Sequence, residues 1–208
     1  MLKQAETAVG MSGNYCLSLT GAGTYKQEMV LLARTYLESG SWNAVKASVL
    51  DDNLLQLNTD SNRKRIGSEL IKRLKTLNPE EVEHLATCSG DDLSAIVWVA
   101  FCRTYPFVRE FSEELIAERY AKMKPDVTKE TYQAFVEEKM FEHPELAKLT
   151  NASREKLKIR VFGMARDCGL LDRSGAITPI YPSPSFVSLI KRTDPENLSL
   201  FPKVGAIS

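Results

Sequence analysis

The side chains whose types and spacing could do chemistry lie on two stretches of the chain, and the chemistry they suit is recognition of phosphate. In TDSNRKRIGSELIKRLKTL (59–77), Ile66, Leu70, Leu74 and Leu77 fall within about 80° of one another at about 100° per residue, the stripe of a helix resting on a core. Lys64, Arg65, Ser68, Lys72 and Lys75 project from the other side, between about 160° and 260°. Lys64, Arg65, Lys72 and Lys75 can each neutralise one phosphate, and each such contact steepens the fall of log affinity with log salt by about 0.9. Ser61, Asn62, Arg65 and Ser68 sit near the helix start and have the donors and acceptors that a base edge requires. The competing reading is a solvated lysine-rich face of the kind found on many helices.

The second stretch, ASREKLKIRVFGMARDCG (152–169), echoes the first. Shifted by 91 positions, Thr59 meets Thr150, Arg63 meets Arg154, Arg65 meets Lys156, Ile66 meets Leu157 and Leu70 meets Val161. Its outward arc carries Lys156, Arg160 and Arg166, but also Ile159 and Gly163. An apolar Ile159 on the wet side predicts a helix more enclosed by protein, so the first helix is expected to read a groove and the second to act as scaffold. Arg173, in the Asp-Arg-Ser-Gly turn beyond, completes the set of candidate nucleic-acid contacts. Arg63 and Arg154 instead project on the apolar side, where an arginine more often pairs with a carboxylate at a helix junction.

Other chemistries find no support. There is no GxSxG, P-loop, GxGxxG or HExxH, and Gly21-Ala22-Gly23 lacks the lysine and spacing of a phosphate loop. Cys16, Cys88, Cys102 and Cys168 form no CxxC, and only His84 and His143 could join them, so no metal, cofactor or disulfide framework is expected. The chain has 27 basic and 27 acidic residues, which excludes a globally basic binder and requires charge segregated onto one face. Ile96 to Cys102 is apolar on every side but only seven residues long, against roughly twenty for a membrane span. It reads as a buried core helix, and the N-terminus lacks the pattern of a secretory signal.

The elements that must position these residues are mainly α-helical. Residues 1–24, rich in Gly, Ser and Thr, read as an irregular lead-in. Residues 25–124 form a first helical half, with helices at 25–38 and 41–52 and then the cationic helix capped by Asp60 or Ser61. Residues 125–192 form a second half with its own helical pair, and 193–208 a loosely packed tail. The expectation is a helical bundle with two related helix-turn-helix-like halves. A short β-hairpin, or wing, is expected near 170–180, the competing reading there being a helix C-cap followed by an irregular loop.

DDNLLQLNTDSNRKRIGSELIKRLKTL, FCRTYPFVREF and MFEHPELAKLTNASREKLKIRVFGMARDCGLLD together resemble the BrxA family, accessory proteins of the BREX bacteriophage-exclusion systems. The resemblance covers roughly 25–190, and its most specific part is the LLQ, RKRI and ELIKRL block. It implies a bacterial cytoplasmic protein acting beside other BREX proteins, with no assigned catalytic residues. The joint expectation is a non-enzymatic protein that binds double-stranded DNA mainly through phosphates, without a membrane or metal. A protein-protein adaptor using the same face and an RNA-binding bundle are the alternatives.

Overall fold

The structure is a computed structural model and describes Tyr15, Leu17, Leu19 and residues 23–202. The lead-in at 1–24 and the end of the tail therefore lie largely outside the described residues. Among these, the chain is mainly α-helical with no extended strand, as expected.

The first half packs α1 (Lys26–Ser39), α2 (Trp42–Leu50), α3 (Asp60–Leu74) and α4 (Pro79–Thr87) around α5 (Gly90–Thr104). Local sequence sets the boundaries. The Ser41 and Thr59 hydroxyls accept from the backbone N–H three residues on, and Asn78 and Glu81 form a reciprocal capping box behind Pro79. The cap of α3 is thus Thr59, one residue before the expected Asp60 or Ser61, because its extended backbone aims the hydroxyl at the N–H of Asn62. The apolar run of α5 is the centre of the core: Ala95 to Phe101 are fully buried, and no described helix is long and apolar enough to cross a membrane. Gly67 lets α2 and α3 touch, since a Cβ there would stand 2.5 Å from Val49 Cγ1.

The helix that starts at Pro106 has three parts. It is α-helical over α6 (Pro106–Glu110), widens to π-helical winding over Phe111–Glu118 and closes with α7 (Arg119–Ala121). The wider turn brings Ser112 and Ile116 inside together with Phe111 and Leu115, whereas Tyr120 is half-buried. There the Ser112 hydroxyl accepts from Trp98 Nε1 (2.7 Å) and donates to the Leu200 carbonyl (2.8 Å).

In the second half α8 (Lys129–Glu142), the short α9 (Pro144–Ala147) and α10 (Asn151–Asp167) follow one another, with Thr128 and Thr150 as caps. The expected hairpin forms as isolated antiparallel bridges: Leu171 faces Ile177, and Asp126 faces Ala176. Val127 N donates to the Gly175 carbonyl and Ile177 N to that of Pro125, so the hairpin pairs with the chain leading into α8. Gly175 is required there, with φ 90° and Val127 O 2.8 Å from where a Cβ would stand.

The expectation of a loose tail fails over the described residues. After α11 (Pro184–Thr193) a 3-10 segment, Pro195–Leu200, buries Asn197 and Leu200, and Phe201 follows them into the core. Arg103 holds this end by binding both oxygens of Glu81 and reaching Asp194 at 3.2 Å. Burial alone would raise the Glu81 carboxyl, but Arg103, the Asn78 N–H and the Thr193 hydroxyl together hold it below the usual range.

Candidate nucleic-acid interface

Ser61, Lys64, Arg65, Ser68, Lys72 and Lys75 are exposed along α3, and Asn62 is half-buried. Not all of them are equally available. Arg65 Nη2 donates to Asn62 Oδ1 (3.3 Å), and Lys72 Nζ lies 5.1 Å from the centre of the Tyr105 ring, a cation–π contact with its own core. Arg63 does pair with a carboxylate, but that of Asp60 on its own helix rather than at a junction. Arg154 finds none among the described residues: it donates to Asn151 Oδ1 at 2.6 Å and lies 3.0 Å from Met140 Sδ. Both arginines thus reach back three residues toward their helix start, as the 91-residue shift implies.

Arg73, one of the cations of 59–77, is fully buried. Its guanidinium stacks 4.4 Å from the Phe101 ring centre, lies 3.5 Å from Glu69 Oε1 and donates to the Gly23 carbonyl at 2.9 Å. Tyr105 Oη contacts it and donates to Glu69. Burial lowers Arg73 to about 10 despite Glu69 beside it, so it stays charged at neutral pH. Its work is to hold the turn at 23–25, where Tyr25 adopts φ 47° ahead of α1. On its other side Thr24 donates to Asp167 Oδ2 at 3.2 Å, tying the turn to the end of α10.

That turn forms one wall of an open cleft of about 530 Å³, lined by Arg65 of α3 and by Lys156, Ile159, Arg160, Gly163 and Asp167 of α10. The structure therefore joins Arg65, Lys156 and Arg160, three candidates separated by about ninety residues in the chain. Ser61, Asn62, Lys64, Ser68, Lys72, Lys75, Arg166 and Arg173 are not among the lining residues. Arg166 and Arg173 are exposed, the latter in a turn whose Asp172 carboxylate accepts from Ser174 and Ala176 and is held below the usual range by those bonds. Among the described residues no carboxylate pairs with Lys156 or Arg160.

The expectation that α10 is enclosed is overturned: Ile159 is 60% exposed, because its face opens on the cleft rather than on a packed neighbour. Sequence reasoning also missed Tyr25 and Asp167 as lining residues. For Gly163 a signal existed, since a glycine inside a helix is destabilising unless something uses it. Among the described residues no group of three or more His, Cys, Asp or Glu side chains could hold a metal ion.

Known proteins resemble this chain at the level of sequence and fold. It is 26% identical over 114 residues to a BREX protein BrxA of Bacillus cereus (strain H3081.97), a match over 55% of this chain and 57% of the relative's length. It is 21% identical over 182 residues to a BREX protein BrxA of Escherichia coli O9:H4 (strain HS), covering 86% of this chain and 85% of that one. A crystal structure of an uncharacterized protein from Magnetospirillum magneticum shares the fold with a TM-score of 0.75 at 18% identity, over 88% of this chain and 95% of the other. Residues 13–194 match the BrxA family, and the chain belongs to it.

Proposed function

We propose that this protein is a non-enzymatic, double-stranded-DNA-binding accessory component of a BREX phage-defence system, working in the cytoplasm beside other BREX proteins. The observation that carries the reading is the convergence of Arg65, Lys156 and Arg160 around one cleft of a chain with no net charge. Segregated cations on a neutral protein suit a polyanion held through its phosphates. The chain from 106 onward supports it: a helix over 106–121, a short bridged segment at Asp126, α8 and α10 joined through the short α9, and a bridged hairpin follow in the order of a winged helix-turn-helix, with α10 in the recognition position. The names of the two BrxA relatives support the setting.

The test is fluorescence anisotropy of a labelled duplex against salt, with wild type and the Arg65→Ala/Lys156→Ala/Arg160→Ala variant. Three lost phosphate contacts reduce the slope of log affinity on log salt by up to about 2.7, three times about 0.9. An unchanged affinity and slope would remove the cleft from the interface. Excess duplex, single strand and structured RNA as competitors then rank the nucleic acids directly.

A further inference from the structure

We infer that the cleft between α3 and α10 seats the sugar–phosphate backbone of a single strand of the bound nucleic acid, with the sugar against an apolar floor made by Ile159 and Gly163. The inference rests on the nucleic-acid reading above and adds a shape to it.

Gly163 lies inside α10, where glycine weakens a helix relative to alanine. Nothing among the described residues asks for it. A Cβ built there meets no atom of the described residues within 4 Å, in contrast to Gly67 against Val49 and Gly175 against the Val127 carbonyl. One helical turn earlier Ile159 is left 60% exposed. Lys156, Ile159, Arg160, Gly163 and Asp167 fall at steps of three and four, so they share one face of α10, and Arg65 stands across from it. A bare phosphate has no use for an exposed isoleucine beside an open stretch of helix backbone. A nucleic-acid strand has use for both: its phosphodiester oxygens meet the three cations, and its deoxyribose C–H surface approaches the helix where a side chain would otherwise stand. Among the described residues that line the cleft the one carboxylate, Asp167, already accepts from Thr24.

The charge-neutral variant Gly163→Leu tests this, because it fills the floor without removing any cation. With a 20-base-pair duplex at low salt, it is expected to weaken binding at least about tenfold with the melting temperature at or above that of wild type. Adding it to the three-alanine variant is expected to cause no further loss. Ile159→Gln, at an exposed position that leaves the fold alone, is expected to weaken binding about threefold or more. If wild type binds and both variants bind within about twofold of it, the seat is overturned while DNA binding stands. If wild type binds neither duplex nor single strand, both readings fall. Displacement of the duplex by a poly-glutamate peptide as readily as by unlabelled duplex also overturns the seat, since a carboxylate chain carries no sugar.

Discussion

Replacing Arg73 by methionine removes a guanidinium that is completely buried and keeps much of its stem. The loss is electrostatic more than volumetric: Glu69 remains inside without the guanidinium beside it, still accepting from Tyr105, and the Gly23 carbonyl loses the Arg73 donor. Breaking a buried pair in this way costs about 3–5 kcal/mol. For a chain of this size each kcal/mol lowers the melting temperature by about 2–4 °C, so the expected drop is about 6–20 °C. Glu69→Gln in the same chain removes the stranded charge and still offers Tyr105 an acceptor. The double variant is therefore expected to lose only about 1–3 kcal/mol, for the unsatisfied Gly23 carbonyl and the altered packing, a coupling of at least about 2 kcal/mol between the two positions, since Glu69→Gln alone also carries a cost. Urea denaturation of the wild type, both single variants and the double variant at pH 7 gives the four numbers. Because Arg73 also braces the turn at 23–25, the methionine variant should bind duplex more weakly than wild type even well below its melting temperature. A cost below about 1 kcal/mol for Arg73→Met, or strictly additive effects, would refute the argument that this arginine is a core anchor held by Glu69.

Further outcomes follow from single features of the structure. Gly67→Ala forces Val49 aside and is expected to cost about 1–3 kcal/mol in denaturant melts, whereas Gly163→Ala, with open space before it, is expected to stabilise by up to about 1 kcal/mol. Asp167→Asn removes an anion from the cleft wall and should raise duplex affinity a few-fold in anisotropy titrations at low salt. The folded-state pKa of Glu81 lies below its unfolded value, so its contribution to stability is present above about pH 4.3 and is lost as pH falls through the depressed folded value. Melting temperature measured against pH should show a steeper acid limb for wild type than for Glu81→Gln. Burial raises Cys102 well above its ordinary value and Cys168 to about 12, so both should react with a thiol reagent at pH 8 only after denaturant is added.

What could be read from sequence was what depends on neighbours within a few residues. Ile66, Leu70 and Leu74 face the core because a stripe is a local property of a helix, and the start of α3 was legible to within a residue, the cap being Thr59 rather than Asp60 or Ser61. Arg73, a cation of the same stretch that lies outside the outward arc, falls seven residues after Ile66 and so on the buried side, where Glu69 and Tyr105 satisfy it. Ile159 was legible as an apolar residue on the wrong face but not as the floor of a cleft, since that depends on where α3 lies, about ninety residues away in the chain. The winding change at Phe111 was hidden for a similar reason: π and α turns use the same backbone region, and the choice is made by what Ser112 and Ile116 meet. The packed segment after Asp194 looked loose because its apolar residues show no period, although Leu198, Leu200 and Phe201 are each buried.

The π-helical stretch also bears on how lengths are compared between relatives. A π turn holds about one residue more than an α turn, so a relative lacking one residue between 111 and 118 would thread the same path as an ordinary α-helix. It would then turn the position of Ser112 away from Trp98 and leave the Leu200 carbonyl without its donor. A one-residue gap in that window is thus a change of conformation and of how the C-terminal segment is received, and the compensating change belongs at the positions of Trp98 and Leu200.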